Sequence, residues 1–447
     1  MKTLAETDVL IVGGGPAGIG AALMAARGGA RTTLVERYGR LGGAAINAMV
    51  SPFMGTSRSS ILKEILDHLG NSQVDFATYD MKFAELLLKD NVEILLHTWA
   101  YKAVMKGKTV AGVHTVSKEG EAIIKAKVII DASADGDIAF TAGAPFEMGR
   151  KGNGLAQPMS IMFRIAGVDK SRAMLCGSEE CAKQRRVPEG TWEEVVLKGQ
   201  ATGELPKNIG VIRVYESPMP GCRTVNATQV NYVDGTKVAD LTKAELEGRR
   251  QAFQVVAFLR KHAPGYEKAC AAEMPATIGV RETRRFLGLE YLTKKDLVAG
   301  RKWDTAVVWD AFFCMDIHNP DGGGQTHGIA ERVKPYDIPY GCLVPQKVDN
   351  LLVAGRCISG SHEAHASYRV MNIAISTGAA AGAAAALSAL NNIKPRHLEV
   401  AEIQKQLMRS PSQFQRGSAS SPSSLNLHGS KRQINKDSPR KKRCPSS

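Results

Sequence analysis

The chain has 447 residues, of which 44% are hydrophobic, and it carries 44 glycines and a net charge of +14. This length allows two or three domains with a sizeable core, and the glycine content is typical of an α/β protein with many tight turns. Most of the charge lies in residues 403–447, where ten Lys and Arg side chains stand against one acidic residue, which favours a globular enzyme with a basic tail over a nucleic-acid-binding fold.

The apolar pattern and the cysteines narrow the class of protein further. No apolar run approaches the ~20 residues that a membrane span needs, and the Ala-rich stretch 373–390 carries glycines and serines that favour a packed helix. The first strand begins close to residue 1, so we expect no signal peptide. The eight cysteines contain no CxxC pair, and they predict neither a disulfide framework nor a metal site but a reduced, cytoplasmic protein.

Residues 8–36 carry the strongest motif. They predict a buried strand, a glycine turn, a helix and a second strand that ends in Glu36. Gly13 permits the tight turn, Gly15 lets the backbone approach a diphosphate, and Gly18 lets the helix pack closely on the strand. A carboxylate at this distance accepts hydrogen bonds from ribose hydroxyls. The unit predicts a nucleotide site made of Gly13, Gly14, Gly15, Pro16, Ala17, Gly18 and Glu36.

Several further elements are predicted between residues 37 and 145. A loop begins at Arg37, and in it the backbone of Gly42 and Gly43 can meet a phosphate or a redox ring. Residues 61–69 and 81–88 predict helices, 92–97 a strand, and 110–116 with 122–127 a hairpin. Residues 128–131 predict a second buried strand, followed by Ala132, Ser133 and a helix that begins near residue 138. Small residues at the carboxyl end of a parallel strand let a cofactor lie close.

Residues 146–335 change character and predict an inserted domain that binds the substrate. Strand-like runs cover 160–165, 211–215 and 229–233, and one clear helix covers 243–261. Arg281 stands close in sequence to Arg284 and Arg285. These three arginines are suited to carboxylates, phosphates or flavin oxygens, or else to interdomain ion pairs. Asp316 and His318 are expected on one face of a strand, either as a proton-handling pair or as a structural hydrogen bond.

From residue 336 the pattern of a dinucleotide fold returns. Residues 350–354 predict a buried strand that ends in Gly355 and Arg356, and 371–390 predict a helix of Ala, Gly and Ser. The loop between them gathers titratable groups, including His362 and His365, which can exchange protons near neutral pH.

The order of these elements predicts the fold class and the domains. We expect an α/β protein with a Rossmann-like, two-dinucleotide-fold domain formed by residues 1–145 and 336–395. Residues 146–335 form the inserted mixed α+β substrate domain. Residues 410–447, rich in Ser, Pro and basic side chains, predict a disordered tail. That tail is either a solvated extension, a nuclear-import address or a weak binder of nucleic acid.

These motifs, in this order, resemble a known family. The segments GGGPAGIGAALMAARGGARTTLVERYGRLGG, VIIDASADGDIAF, GVRETRRFLGLEYLTKKD, DIH and NLLVAGRCIS…HEAHASYRVM are similar to the FAD-dependent oxidoreductases of the FAD_oxidored family. These are relatives of the flavin-binding polypeptide of heterodisulfide reductase and, more distantly, of fumarate reductase flavoproteins. The resemblance covers about residues 5–392. Ser133 and Ala134 stand where that pattern usually has Thr-Gly, and Asn372 stands where it usually has proline.

The resemblance implies an enzyme that binds FAD non-covalently and transfers a hydride between the flavin and a small organic substrate. Adenine is expected near Ala100, and the ribityl chain or flavin near Gly42, Gly43, Gly355, Arg356, Arg369, Val370, Met371 and Asn372. His362, His365 and Arg281 are expected to face the substrate. The electron partner is a redox protein or NAD(P)H. The alternatives are an NAD-dependent dehydrogenase without flavin and a flavoprotein subunit that is non-catalytic or transfers electrons.

Overall fold

The computed structural model describes residues 2–70, 75–326 and 332–409, and the predicted tail at 410–447 lies outside the described residues. Within this part the strands are β1 Lys2–Val12, β2 Thr32–Val35, β3 Thr56–Arg58, β4 Glu93–Leu95, β5 Trp99–Lys106, β6 Thr109–Ser117, β7 Gly120–Asp131, β8 Phe146–Met148, β9 Met162–Ala166, β10 Arg186–Val187, β11 Gly190–Thr191, β12 Arg213–Glu216, β13 Arg223–Asn226, β14 Cys270–Glu273, β15 Arg284–Phe286, β16 Ala306–Phe312, β17 Tyr336–Pro339 and β18 Leu351–Val353. The helices are α1 Pro16–Arg27, α2 Ala44–Asn47, α3 Ser60–Leu69, α4 Tyr79–Lys89, α5 Asp137–Thr141, α6 Glu179–Gln184, α7 Trp192–Ala201, α8 Val238–His262, α9 Lys294–Ala299, α10 His362–Tyr368, α11 Met371–Asn391 and α12 Val400–Leu407.

The largest sheet has the strand order β4-β2-β1-β7-β6-β5, with β18 beside β7. Strands β4, β2, β1, β7 and β18 run parallel, whereas β5 and β6 form an antiparallel hairpin on β7. The protein is therefore α/β with a mixed, mainly parallel sheet, as predicted.

Strand β7 unites two segments that the sequence separated, 122–127 and 128–131. Its first half pairs with β6 through residues 120–125, and its end pairs with β18 through residues 129–131. The first half alternates between buried and accessible side chains, and the end is buried throughout. The change of pattern reflects a change of neighbour and not a break in the strand.

The carboxyl ends of four parallel strands meet at one edge of this sheet. Val12 is paired with Val35 of β2 and with Asp131 of β7, and Asp131 is paired with Val353 of β18. In open parallel sheets, ligands bind outside this edge.

The described residues contain two hydrophobic cores. One lies around the large sheet, and it also includes later residues such as Phe286, Tyr336 and Ile403. The second lies within residues 159–278, around the antiparallel sheet β12-β13-β9-β14 and helix α8. The predicted domain division stays a prediction: one domain formed by residues 1–145 and 336–395, and a second formed by residues 146–335.

The predicted helices at 61–69, 81–88, 243–261 and 371–390 are confirmed by α3, α4, α8 and α11. The strand predicted at 229–233 is wrong, because the backbone N–H of Gln229 donates to Gln251 Oε1 at 2.9 Å and Val230 forms only an isolated bridge. The strand expected around Asp316 is also wrong, since β16 ends at Phe312 and irregular chain follows.

Helix α11 packs on α1 with backbone contact. A Cβ at Gly378 would lie 1.9 Å from the Ala17 carbonyl oxygen, and one at Gly382 would lie 2.1 Å from that of Ala21. In the described part of the chain, α11 alone has the length and apolar character of a membrane span, but 89% of that stretch is buried inside the protein, so no span is indicated.

Candidate functional site

A cleft opens at the carboxyl edge of the large sheet. It has about 1140 Å³ of space not filled by atoms, part of it continuous with solvent. Fourteen of the predicted cofactor residues line it: Gly13, Gly15, Pro16, Ala17, Glu36, Arg37, Gly43, Ala100, Ala132, Ser133, Gly355, Arg356, Arg369 and Met371. The remaining predicted residues, Gly14, Gly18, Gly42, Val370 and Asn372, are not among the residues that line it.

The glycine turn brings the start of α1 to the cleft. Gly13 has a φ of +103°, and a Cβ there would lie 2.6 Å from the Ala132 carbonyl oxygen. A Cβ at Gly18 would lie 1.8 Å from the Gly13 carbonyl oxygen, so that glycine serves packing. Pro16 stands at the start of α1, which has neither a side-chain cap nor an acidic residue in its first turn. The first turn thus offers free N–H donors and the positive end of the helix dipole to an anion.

Glu36 lies at the same end of the cleft and is 6% exposed. Its Oε2 accepts a hydrogen bond from the Gly14 N–H at 2.7 Å, and its Oε1 accepts one from the Tyr38 N–H at 2.9 Å. The Gly42 N–H in turn donates to the Gly14 carbonyl at 2.8 Å. Gly14 and Gly42 therefore hold the loop together, and Glu36 fixes the glycine turn while it faces the cleft.

The end of β7 is fixed by a buried carboxylate. Asp131 accepts hydrogen bonds from Ser133 Oγ at 2.6 Å and from the backbone N–H groups of Ile138 and Ala139 at 2.8 Å. Burial raises the pKa of Asp131 to about 6, although these donors oppose the shift. Ala134 has a φ of +74°, a conformation that favours glycine, and this is the position where the family usually has glycine.

Part of the cleft is lined by residues that were not predicted as site residues. Residues 277–280, which follow the last strand of the second core, line it together with Asp135. Arg356 Nη1 donates to the Val280 carbonyl at 2.6 Å, and its Nη2 contacts Asp135 Oδ1 at 2.9 Å. Asp135 lay within the quoted motif DASADGD, and Gly279 and Val280 begin the quoted segment GVRETRRFLGLEYLTKKD. Neither pattern placed these residues at the cleft, because only the packing of the two cores brings them here.

The segment around Val370 and Asn372 fixes the start of α11. Asn372 Nδ2 donates to the Gly55 carbonyl at 2.8 Å, and its N–H donates to the Met54 carbonyl at 3.3 Å. Val370 precedes the helix, and its side chain lies against Gly55. Asn372 thus makes hydrogen bonds that the family's usual proline lacks the donors to make.

The three predicted catalytic residues do not line the cleft, and two of them lie on a helix and not in a loop. Helix α10 forms because Ser361 Oγ accepts a hydrogen bond from the Ala364 N–H at 3.2 Å and caps it. His362 Nδ1 lies 2.9 Å from Glu282 Oε1. His365 is 1% exposed, and neither ring nitrogen has a partner in the described part.

Burial of His365, together with the charge of Arg285, holds its pKa well below the usual range. This imidazole is therefore neutral at pH 7. The catalytic roles of His362 and His365 stay predictions.

Arg281 follows directly after the residues that close the cleft. Its Nη1 donates to the Pro158 carbonyl at 2.8 Å and to Ser160 Oγ at 2.6 Å. Burial and the charge of Arg369 lower the pKa of Arg281 to about 9, which leaves it cationic at pH 7.

Asp316 and His318 lie beside these arginines. Arg369 Nη2 contacts Asp316 Oδ2 at 2.8 Å, and His318 Nε2 lies 3.5 Å from Asp316 Oδ1. Burial opposes ionisation of Asp316, but the neighbouring His318 and Arg369 hold its pKa well below the usual range. Burial and the charge of Arg281 lower the pKa of His318 to about 3. Asp316 is thus an anion and His318 neutral at pH 7.

Within residues 2–70, 75–326 and 332–409, no group of three or more His, Cys, Asp or Glu side chains is placed to hold a metal ion.

Residues 8–407 match the family described as FAD-dependent oxidoreductases. The chain belongs to this family. It is therefore a flavin enzyme, and its cofactor is FAD, not the NAD of the alternative interpretation.

The curated relatives of this FAD-dependent oxidoreductase match over shorter stretches. Leghemoglobin reductase of Glycine max is 36% identical over 81 residues, or 18% of this chain and 14% of that protein. The mitochondrial dihydrolipoyl dehydrogenase of Pisum sativum is 33% identical over 120 residues, or 27% of this chain and 20% of that protein. The match thus spans a fifth or less of the length of each of these two relatives.

Two solved structures align with most of this chain at low identity. A geranylgeranyl bacteriochlorophyll reductase-like protein from Thermoplasma acidophilum gives a TM-score of 0.46 at 15% identity, over 90% of this chain and 82% of that chain. The p-nitrophenol 4-monooxygenase of Pseudomonas putida DLL-E4 gives 0.44 at 12% identity, over 93% and 87%.

The cleft fits FAD. Glu36 faces one end with a carboxylate acceptor, and the uncapped first turn of α1 lies next to it with donors for a diphosphate. A Cβ at Gly15 would find its nearest neighbour 3.7 Å away, so this turn leaves open space toward the cleft. Arg356 and Arg369 also line the cleft, and their guanidinium groups offer hydrogen-bond donors to a cofactor rich in acceptors.

Proposed function

We propose that this enzyme transfers a hydride between FAD and a small organic substrate. The observation that carries the proposal is the extent of the cleft. One continuous space is lined by the glycine turn at Gly13, by residues 277–280 and by Arg369. A dinucleotide held at the glycine turn therefore presents its far end to the boundary between the two cores, where a substrate can approach.

The residues of the chain divide into binding and substrate-facing groups. The first turn of α1 binds the diphosphate, Glu36 accepts from the ribose, and Arg356 fixes the wall formed by Val280. When bound, FAD supplies the ring that exchanges two electrons and a proton with the substrate as a hydride. Arg281 orients the substrate. His362 and His365 position the segment around Glu282, and this segment carries Arg281.

Anaerobic reduction of the purified holoprotein tests this proposal. The flavin absorbance is followed while sugars, alcohols, hydroxy acids, amino acids and enoates are added, class by class. We expect one class to bleach the flavin at the rate of turnover. His365→Ala should slow the bleaching while the FAD content stays unchanged, and unchanged kinetics would remove His365 from the proposal. The exposed Glu119→Gln serves as the control variant.

The rival function is that of an electron-transfer flavoprotein. It would be supported by stable FAD that no organic substrate reduces but that NAD(P)H or a protein partner does. Relatedness to heterodisulfide reductase, a cytoplasmic location and weak nucleic-acid binding by the basic tail also stay predictions.

A further inference from the structure

The surroundings of Arg281 carry one more inference, which rests on the proposed function. Arg281, Arg369 and Arg213 form a group that we call the arginine cluster. Each comes from a different part of the chain. Arg369 ends α10, Arg213 begins β12, and Arg281 follows the residues that close the cleft. Arg281 interacts electrostatically with both of the other arginines.

The arginine cluster reaches the FAD cleft through Arg369, which lines it. Arg213 and His318 line a narrow gap that has no room for a water molecule. Arg281 is largely enclosed by protein and is not among the residues that line either space. A ligand would therefore meet the cluster from the FAD cleft.

The charges of the arginine cluster are not balanced within the described residues. Ion pairs bring two carboxylates to its three guanidinium groups, Asp316 at 2.8 Å from Arg369 and Glu179 at 3.5 Å from Arg213. Arg281 makes no ion pair of its own there: its two described hydrogen bonds go to uncharged oxygens, and Asp316, which interacts with it electrostatically, is already paired with Arg369. A buried charge without a partner is costly, so one excess positive charge calls for an anion from outside the chain.

Unused hydrogen-bond donors lie in the same place. Arg369 Nε and Gln157 Nε2 are both buried without a hydrogen-bond partner among the described residues. Gln157 belongs here because its Oε1 accepts from the His318 N–H at 3.2 Å. Buried polar groups are nearly always paired, and a ligand that pairs with donors alone must present acceptors. A carboxylate has acceptors only.

We infer that the arginine cluster binds the carboxylate of the substrate, so that the compound that exchanges a hydride with FAD is a small organic acid. One excess positive charge favours a monocarboxylate over a phosphate ester. Asp316, which is an anion, lies beside the arginine cluster together with neutral His318. The negative charge of Asp316 keeps a second anion away from the site.

Equilibrium binding to the holoprotein tests the inference without turnover. Propionate, its neutral isostere propionamide, and sulfate are titrated against the wild type, and both the Tm and the visible absorbance of bound FAD are recorded. We expect propionate to raise Tm and perturb the flavin spectrum in a saturable way. Propionamide and sulfate should bind at least tenfold more weakly. Equal binding of propionate and propionamide would overturn the inference, and so would tighter binding of sulfate.

Two variants sharpen the test. Arg281→Met should weaken propionate binding at least tenfold at an unchanged FAD content. Arg223→Met should leave it unchanged, because Arg223 is a buried arginine outside the arginine cluster and has its own partner, Glu216, at 2.9 Å. If Arg281→Met binds propionate like the wild type but shifts the flavin reduction potential, Arg281 serves the flavin and the inference is wrong. Should Arg281→Met fail to fold, the comparison of propionate with propionamide still decides.

The outcome is separable from that of the proposed function. Saturable propionate binding without reduction of the flavin by any organic compound would support the anion site and contradict the proposed hydride transfer. Reduction of the flavin by an uncharged substrate, with no preference for propionate over propionamide, would support hydride transfer and contradict the anion site.

Discussion

Gly378→Ala tests whether the contact between α11 and α1 sets the geometry of the FAD site. The new Cβ would lie 1.9 Å from the Ala17 carbonyl oxygen, about 1.5 Å short of the 3.4 Å at which ordinary contact begins. The clash is with backbone, so no rotamer change relieves it, and the two helices must separate. Overpacking of this kind costs about 1–3 kcal/mol, and the better helix propensity of alanine returns about 1 kcal/mol. The net loss is therefore about 0–2 kcal/mol, and we expect it near the upper end because the clash is with backbone.

The effect should reach the cofactor, because Ala17 lines the cleft in the first turn of α1. We expect the Kd for FAD to rise at least about tenfold, or 1.4 kcal/mol, when apoprotein is titrated and flavin fluorescence is followed. Gly382→Ala is the informative comparison. Its Cβ would lie 2.1 Å from the Ala21 carbonyl oxygen, one turn further from the cleft, so it should lower Tm similarly and FAD affinity less.

Gly177→Ala is the control, since its Cβ would meet nothing nearer than 3.6 Å. If Gly378→Ala binds FAD as tightly as wild type at an unchanged Tm, the close contact between the helices is not what positions the first turn of α1.

Three further predictions concern single side chains. Glu36→Gln replaces a charged acceptor of the Gly14 and Tyr38 N–H groups, and a hydrogen bond to a charged group is worth about 1.5–3 kcal/mol, so the Kd for FAD should rise about 10- to 100-fold in the same titration. Ala134→Gly relieves the φ of +74° and should stabilise the protein by about 1 kcal/mol, measured by thermal unfolding. His318→Gln should flatten the acid limb of stability. Burial lowers the pKa of His318 from 6.5 to about 3. The neutral imidazole therefore makes its full contribution to the free energy of unfolding above pH 6.5, and this contribution is lost as the pH falls toward 3. At about pH 5 the wild type should have lost about 2 kcal/mol more than the variant.

Each of these has a result that contradicts it. Wild-type FAD affinity in Glu36→Gln would show that the carboxylate is not needed at the cleft. Ala132→Gly, at a neighbouring position without a positive φ, should destabilise the protein. If Ala132→Gly and Ala134→Gly change the stability in the same direction, the strain argument is wrong. Parallel curves of Tm against pH for wild type and His318→Gln would mean that the histidine titrates alike in the folded and unfolded chain.

Local chemistry was enough to predict the nucleotide end of the site. The strand, glycine turn and acid of residues 8–36 are close in sequence, and their roles follow from rules of one βαβ unit, so five of the seven residues predicted from it line the cleft: Gly13, Gly15, Pro16, Ala17 and Glu36. The long helices were equally predictable, because their periodicity or composition is a property of contiguous residues.

The rest of the cleft depended on contacts that no local pattern records. Residues 277–280 close the cleft only because the second core packs against the first, and the arginine cluster joins three distant segments around Asp316. His362 and His365, selected from the sequence for their chemistry, lie on the helix that Ser361 caps and are not among the residues that line the cleft. The sequence by itself determined that the chain binds a nucleotide, since that motif is local, and the resemblance of all its motifs to one family implied FAD. Tertiary structure alone decided which distant residues line the cleft, because those contacts exist only once distant segments have packed.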